Sequence, residues 1–194
     1  MKTIYQRLDK ILDLILDKRF RENKGLGNEI GYYIFDYDPK DELIVRDHIQ
    51  FLKKKTSQEN PEITIREFDL FHVMVNILKE KGYLDKVFQM EAQKGTEAIL
   101  TPIKKTLRLA NEDSDLIVEH IKYQVQPNNV VFITGVGKAW PIIRSHGVLN
   151  RLHAAVDHVP LVMFYPGLYS GQELRLFEEI SDQNYYRAFK LVER

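Results

Sequence analysis

Residues 129–167 read NVVFITGVGKAWPIIRSHGVLNRLHAAVDHVPLVMFYPG. Val130-Val131-Phe132-Ile133-Thr134 is a short apolar, β-branched run, the pattern of a strand buried on both faces. Gly135-Val136-Gly137-Lys138 breaks it sharply. Leu149, Leu152 and Val156 then fall at helical spacing, and Val159 to Tyr165 repeats the buried-strand pattern before Pro166-Gly167, which is expected to stop it. Strand, crossover helix and wholly apolar strand make a parallel βαβ unit, and such units join right-handedly. The other elements are expected to pack on this one.

Toward the N-terminus, Ile4, Leu8, Ile11, Leu12, Ile15 and Leu16 form one stripe within residues 3–20, an amphipathic helix suited to covering a sheet. Tyr32 to Asp36 reads as the first strand. Asp38 and Pro39 fit the N-cap and first position of a helix that carries Leu43, Ile44, His48, Ile49 and Leu52. Lys53-Lys54-Lys55 is read as its end, where cations complement the helix dipole. Ile63-Thr64-Ile65 alternates as a second strand, and Asp69 caps a helix that turns Leu70, Val73, Met74, Ile77 and Leu78 inward and stops near Gly82. Residues 84–122 read as several short helices, with a break at Thr101-Pro102 and a further cap at Asp113-Ser114. They form an insertion between the second and third strands. At the far end, residues 185–192 alternate as a final strand.

Strands alternating with helices predict a three-layer α/β sandwich with a mostly parallel sheet. No linker composition divides the chain, so residues 1–194 read as one domain, with about 84–122 as its helical insertion. Lys plus Arg equal Asp plus Glu at 28 each. The basic excess of a general nucleic-acid binder is absent, so direct DNA binding is disfavoured. With no cysteine there is neither a disulfide nor a thiolate metal site. The charged N-terminus is unlike a signal peptide, and no apolar run approaches the ~18 residues of a membrane span. A soluble, cytoplasmic protein is the expectation.

Gly135-Val136-Gly137-Lys138 resembles part of a P-loop. A P-loop needs a glycine four residues before its Gly-Lys pair and Ser or Thr after the lysine. Here the early position is the strand pair Phe132-Ile133, and Ala139 replaces the hydroxyl residue, so a degenerate P-loop-like turn is the reading. It can still offer backbone N–H groups to an anion. In open α/β sheets ligands gather outside the carboxyl ends of the strands. Thr134, Gly135, Gly137 and Lys138, with Asp36 from the first strand, are therefore the candidate strand-end anion site. Competing with it is a purely structural reading in which Asp38 caps and Lys138 is solvated.

Gly25-Leu26-Gly27 fails as a dinucleotide fingerprint, since its next glycine is misplaced and it precedes a strand. His146, His153 and His158 are too irregular for a helix-borne metal pair, Gly-x-Ser-x-Gly is absent, and Tyr169-Ser170-Gly171 reads as a turn. No metal, no cofactor and no catalytic residue are assigned. The C-terminal aromatics, Tyr165, Tyr169, Phe177, Tyr185, Tyr186 and Phe189, fit core packing or a protein interface better than base stacking.

Three stretches carry a family resemblance: GLGNEIGYYIFDYDPKDE (25–42), VVFITGVGKAWPIIRSHGVLN (130–150), and VPLVMFYPGLYSGQELRLF (159–177) with NYYRAFKLV (184–192). Together the chain resembles the BrxB family, small proteins encoded in BREX phage-defence clusters. The resemblance implies partners: a DNA methyltransferase, a large P-loop ATPase and the alkaline-phosphatase-like PglZ protein. It supplies a pathway and no catalytic residues. The resemblance, the neutral charge and the lack of any complete catalytic motif together lead to the expectation of a non-enzymatic assembly factor that docks the PglZ-type component, with a homodimer compatible. A nucleotide- or phosphate-binding regulatory protein of the same system is the alternative.

Overall fold

The computed structural model describes residues 2–22, 31–111, 114–182 and 188–194. In chain order the elements are α1 (Ile4–Leu16), α2 (Lys18–Arg21), β1 (Tyr32–Tyr37), α3 (Glu42–Glu59), β2 (Thr64–Asp69), α4 (Leu70–Glu80), α5 (Leu84–Lys94), α6 (Thr96–Thr106) and α7 (Leu116–Gln124). They continue with β3 (Asn129–Thr134), α8 (Val136–Ala139), α9 (Ser145–Ala155), β4 (Leu161–Tyr169), β5 (Leu174–Leu176), β6 (Ile180–Asp182) and β7 (Phe189–Lys190).

β3 and β4 lie parallel, with Val131 opposite Leu161 and Ile133 opposite Met163. β2 extends the sheet on one side and β1 on the other, giving the order β2-β3-β4-β1-β7, parallel throughout. The chain leaves β1 for the far edge through α3, then returns β2-β3-β4 through helices on the opposite face. Reversing direction and face together keeps one crossover hand.

Strand residues alternate between two cores. Ile34, Val131, Ile133, Leu161 and Met163 pack with α4, α6, α7 and α9. Phe35, Val130, Phe132, Val162 and Phe164 pack with α1 and α3. Apolar side chains on both faces of one parallel sheet make the three-layer sandwich, and each fully buried Val, Leu, Ile or Phe contributes about 1.5–3 kcal/mol. Among the described residues no helix is long and apolar enough to cross a membrane.

Asp38 caps the single-turn helix Pro39–Asp41 that leads into α3, and Asp69 accepts from the Phe71 and His72 N–H groups to start α4. Several boundaries depart from the sequence expectation. α3 runs on to Glu59, so Lys53–Lys55 lie inside it; Lys53 pairs with Glu67 and Lys55 with Glu59 rather than with the helix end. Pro102 sits within α6, whose buried Ile99 and Ile103 carry the helix through it, and the break comes earlier, at Gly95. Asp115 accepts from the Ile117 and Val118 N–H groups to start α7, one residue beyond the expected Asp113-Ser114 cap, whose Asp113 lies outside the described residues. The crossover after β3 is two helices, α8 and α9.

Pro166-Gly167 does not stop β4. Pro166 still faces Tyr37 across the parallel ladder, and Gly167 begins an antiparallel pairing with β5. The Arg175 carbonyl lies where a Gly167 side chain would stand, so the bare backbone is what lets the strand change partners. Ser170 then holds the turn into β5 by accepting from the Gln172 and Glu173 N–H groups, as the turn reading of residues 169–171 implies. Of the final strand read at residues 185–192, Phe189 and Lys190 pair with β1; residues 185–187 lie outside the described residues, as do Gly25–Gly27.

Candidate functional site

At the carboxyl ends of β2 and β3 a cleft of about 640 Å³ opens between α3 on one side and α4 and α7 on the other. Thr134, Gly135 and Lys138 line it, with Glu67 and Asp69 of β2 beside them. The register puts Asp69 directly opposite Thr134. Three of the five candidate residues are thus brought together in one cleft, against carboxylates that sequence reasoning had not set there.

Those carboxylates occupy the cations. Lys138 is bound by Asp69 through Oδ2, while Oδ1 of the same carboxylate caps α4. Thr134 Oγ1 donates to Glu67 Oε1 at 3.1 Å, and Glu67 Oε2 accepts from Lys53 Nζ at 2.9 Å. Arg46 Nε donates to Glu42 at 2.8 Å, and the Tyr37 hydroxyl donates to the other Glu42 oxygen at 2.5 Å. Burial, and then Glu42, push the Tyr37 hydroxyl above the ordinary phenol range. An anion entering here meets Glu42, Glu67 and Asp69 already paired with Arg46, Lys53 and Lys138, while Arg66 donates to Gln124, and it must break a Lys–Asp pair to reach Lys138.

Gly135 takes φ +70°, the left-handed conformation that ends β3 sharply. A Cβ there would stand 2.6 Å from Asp69 Cγ. Its glycine admits the capping carboxylate. Gly137 is fixed by packing, since a Cβ would meet the Phe177 ring at 2.9 Å.

Asp36 is not part of this cleft. Its carboxylate is buried and accepts from Arg7 Nη2 at 2.8 Å and from the Tyr169 N–H at 3.1 Å, with Arg194 Nε at 3.3 Å. Arg7 also donates to the Asp36 and Val192 carbonyls. Asp36 ties α1, β1, β4 and the C-terminal residues together, so strand-end position alone misassigned its company.

Glu67 was missed because β2 was read as ending at Ile65. Phe68 is buried on the opposite face from Ile65, in the other core, so the two apolar residues do not extend one alternating stripe. The available signal was the Glu67-Phe68-Asp69 triplet directly before a helix cap.

Around α8 the surface is aromatic. Phe71 at the start of α4, Trp140 at the end of α8 and Phe177 against Gly137 are 37 %, 42 % and 37 % exposed. Phe177 and Glu178 form the β5–β6 turn with φ +54° and +63°, a backbone that Asn-Gly fits without strain.

The protein-family model described as BREX protein BrxB matches residues 66–191. The chain belongs to the BrxB family. A BREX protein BrxB of Bacillus cereus (strain H3081.97) is 58% identical over 194 residues, covering all of both chains. Another, of Escherichia coli O9:H4 (strain HS), is 36% identical over 186 residues, 96% of this chain and 90% of that one. No solved structure matches. The BrxB match covers most of β2, the insertion and the whole βαβ unit, so it includes the aromatic surface and the β2, β3, α4 and α7 side of the cleft, while the α3 wall of the cleft precedes it.

Proposed function

We propose that this BREX protein is a non-enzymatic assembly component of a phage-defence system and docks the PglZ-type phosphatase-like component through the aromatic surface around α8. The observation that carries the reading is Phe177. An aromatic residue holds a left-handed turn position at a cost of about 1–3 kcal/mol, and although one side of its ring packs against Gly137 the rest stays open to solvent, which supports a surface role. Trp140 follows α8 and Phe71 begins α4, which packs on α8; both are exposed, and exposed aromatic anchors of this kind dominate protein–protein interfaces. The internal pairing of Lys138, Asp69, Thr134 and Glu67 supports a structural role for the strand-end residues. The methyltransferase and large ATPase of the same clusters are the further partners the reading admits.

Gel filtration with light scattering tests it, using the PglZ-type protein from the same cluster. The expected result is a joint peak, lost in Phe177→Asp and Trp140→Asp variants that melt within a few degrees of wild type. Separate peaks at low salt would end this reading. The same run reports whether the chain alone is a homodimer.

A further inference from the structure

A second cleft, of about 600 Å³, lies between the end of α6 and the start of α9. Leu109, Ala110, Ile142 and Ile143 give it an apolar floor, while Lys104, Lys105, Arg108, Arg144 and Arg151 supply its charge. Among the described residues no carboxylate lines it. The chain as a whole is neutral, so among the described residues cations are gathered here. Arg151 is held by the buried Asp115 at 2.7 Å; the other four cations have no ion pair among the described residues. Glu112 and Asp113, which follow Asn111 in sequence, lie outside the described residues.

Three features of the helix ends that border it point the same way. First, α9 starts with Arg144 in the N-cap position, with no side-chain cap and no acid in its first turn. N-caps are normally Ser, Thr, Asp or Asn, because the free N–H groups and the dipole there favour an acceptor or an anion. The other described helices of eight or more residues have either a side-chain cap or a first-turn acid.

Second, the Arg151 guanidinium lies across that same first turn. A Cβ on Gly147 would meet its Nη1 at 3.0 Å and Nη2 at 3.1 Å. The absence of a side chain at residue 147 lets a cation sit where the helix already presents positive potential. Its Nε is buried without a hydrogen-bond partner.

Third, Arg108 has φ +56° and closes α6 as a left-handed cap, with its N–H donating to the Lys105 carbonyl and the Leu109 N–H to Lys104, both at 3.1 Å. That position is usually glycine. Arginine stands here against backbone preference, and it lines the cleft.

We propose that this cleft binds a nucleoside polyphosphate. The phosphates lie against the first turn of α9 and the Lys104, Arg108 and Arg144 cations, where backbone N–H groups and guanidinium forks recognise phosphate oxygens. The base lies on the apolar floor of Leu109, Ile142 and Ile143. The volume falls within the ~300–1,000 Å³ of small-molecule sites. A single concave cleft on a neutral chain suits a small ligand better than a duplex, which needs a basic stripe along the backbone. This site is separate from the strand-end cleft and from the aromatic surface.

Isothermal titration of the full chain with ATP tests it, beside inorganic triphosphate and adenosine as half-ligands. ATP is expected to bind, with each half-ligand at least about tenfold weaker, and Arg144→Ala and Arg108→Gly each weakening ATP about tenfold or more, the worth of one charged hydrogen bond. Arg108→Gly is expected to melt no lower than wild type, since glycine fits the backbone. Lys138→Met is expected to leave ATP binding unchanged. No heat at millimolar ATP would overturn the proposal. So would binding lost in Lys138→Met but kept in Arg144→Ala, or a short duplex that binds more tightly than ATP through the same arginines.

Discussion

Replacing Asp36 by alanine separates an architectural role for this carboxylate from a role in binding. The Arg7 and Asp36 side chains are 4 % and 2 % exposed and meet at 2.8 Å. Removing one partner of such a pair leaves a buried charge uncompensated, at a cost of about 3–5 kcal/mol. The contact from Arg194, whose side chain is 31 % exposed, adds little. Against a typical domain stability of about 5–15 kcal/mol, the loss is large. For a domain of this size each kcal/mol moves Tm by about 2–4 °C, so the expected fall is roughly 6–20 °C by calorimetry. Asp36→Asn is expected to fall nearly as far, because an amide keeps the shape but not the charge facing Arg7. The double change Arg7→Met with Asp36→Leu is expected to recover part of the loss, since an apolar pair replaces two buried ions. Recovery is partial because the Asp36 and Val192 carbonyls lose their donor. An Asp36→Asn protein that melts within a degree or two of wild type would refute the reasoning.

Two further expectations concern single positions. Gly135→Ala places a Cβ in a left-handed residue and against the Asp69 carboxylate, so a loss of about 2 kcal/mol in chemical denaturation is expected, from the backbone term and the disturbed helix cap together; an unchanged midpoint would contradict this. His48 on α3 has its Nε2 buried without a partner, and burial lowers its pKa against smaller opposing pulls from Asp9 and a backbone hydrogen bond at Leu8. The unfolded chain therefore binds this proton first. Stability is fully present above about pH 6.5 and falls as the pH drops through that value, and His48→Phe is expected to flatten the slope. An identical slope in the variant would exclude His48 as its source.

The sheet was readable because its strands are buried on both faces. Val130–Ile133 and Val159–Tyr165 are continuous apolar runs, and no competing helix of that length and composition fits. The caps at Asp38 and Asp69 were equally plain, since each is a local bond between a side chain and the next N–H groups. What tertiary contacts decide was not readable. The lysines of α3 are placed by Glu67 and Glu59, and Pro102 stays helical because Ile99 and Ile103 are pulled into the core. The β5–β6 hairpin hides behind a Pro-Gly pair that ordinarily ends a strand. At the strand ends the sequence brought Thr134, Gly135 and Lys138 into view. It could not show that Asp69 and Glu67 would face them, nor that Asp36 would turn to Arg7. The α6–α9 cleft was invisible for the same reason: its cations lie about forty residues apart in sequence, in segments 104–108 and 144–151, and carry no motif.

The most direct test of the assembly reading is light scattering on this chain mixed with its cluster's PglZ-type protein, with the Phe177→Asp variant run beside it. A joint peak whose mass equals the sum of the partners, abolished by Phe177→Asp at unchanged Tm, is the expected result. Two separate peaks at low salt, or a joint peak indifferent to Phe177 and Trp140, would contradict the claim that the surface around α8 is where the partner docks.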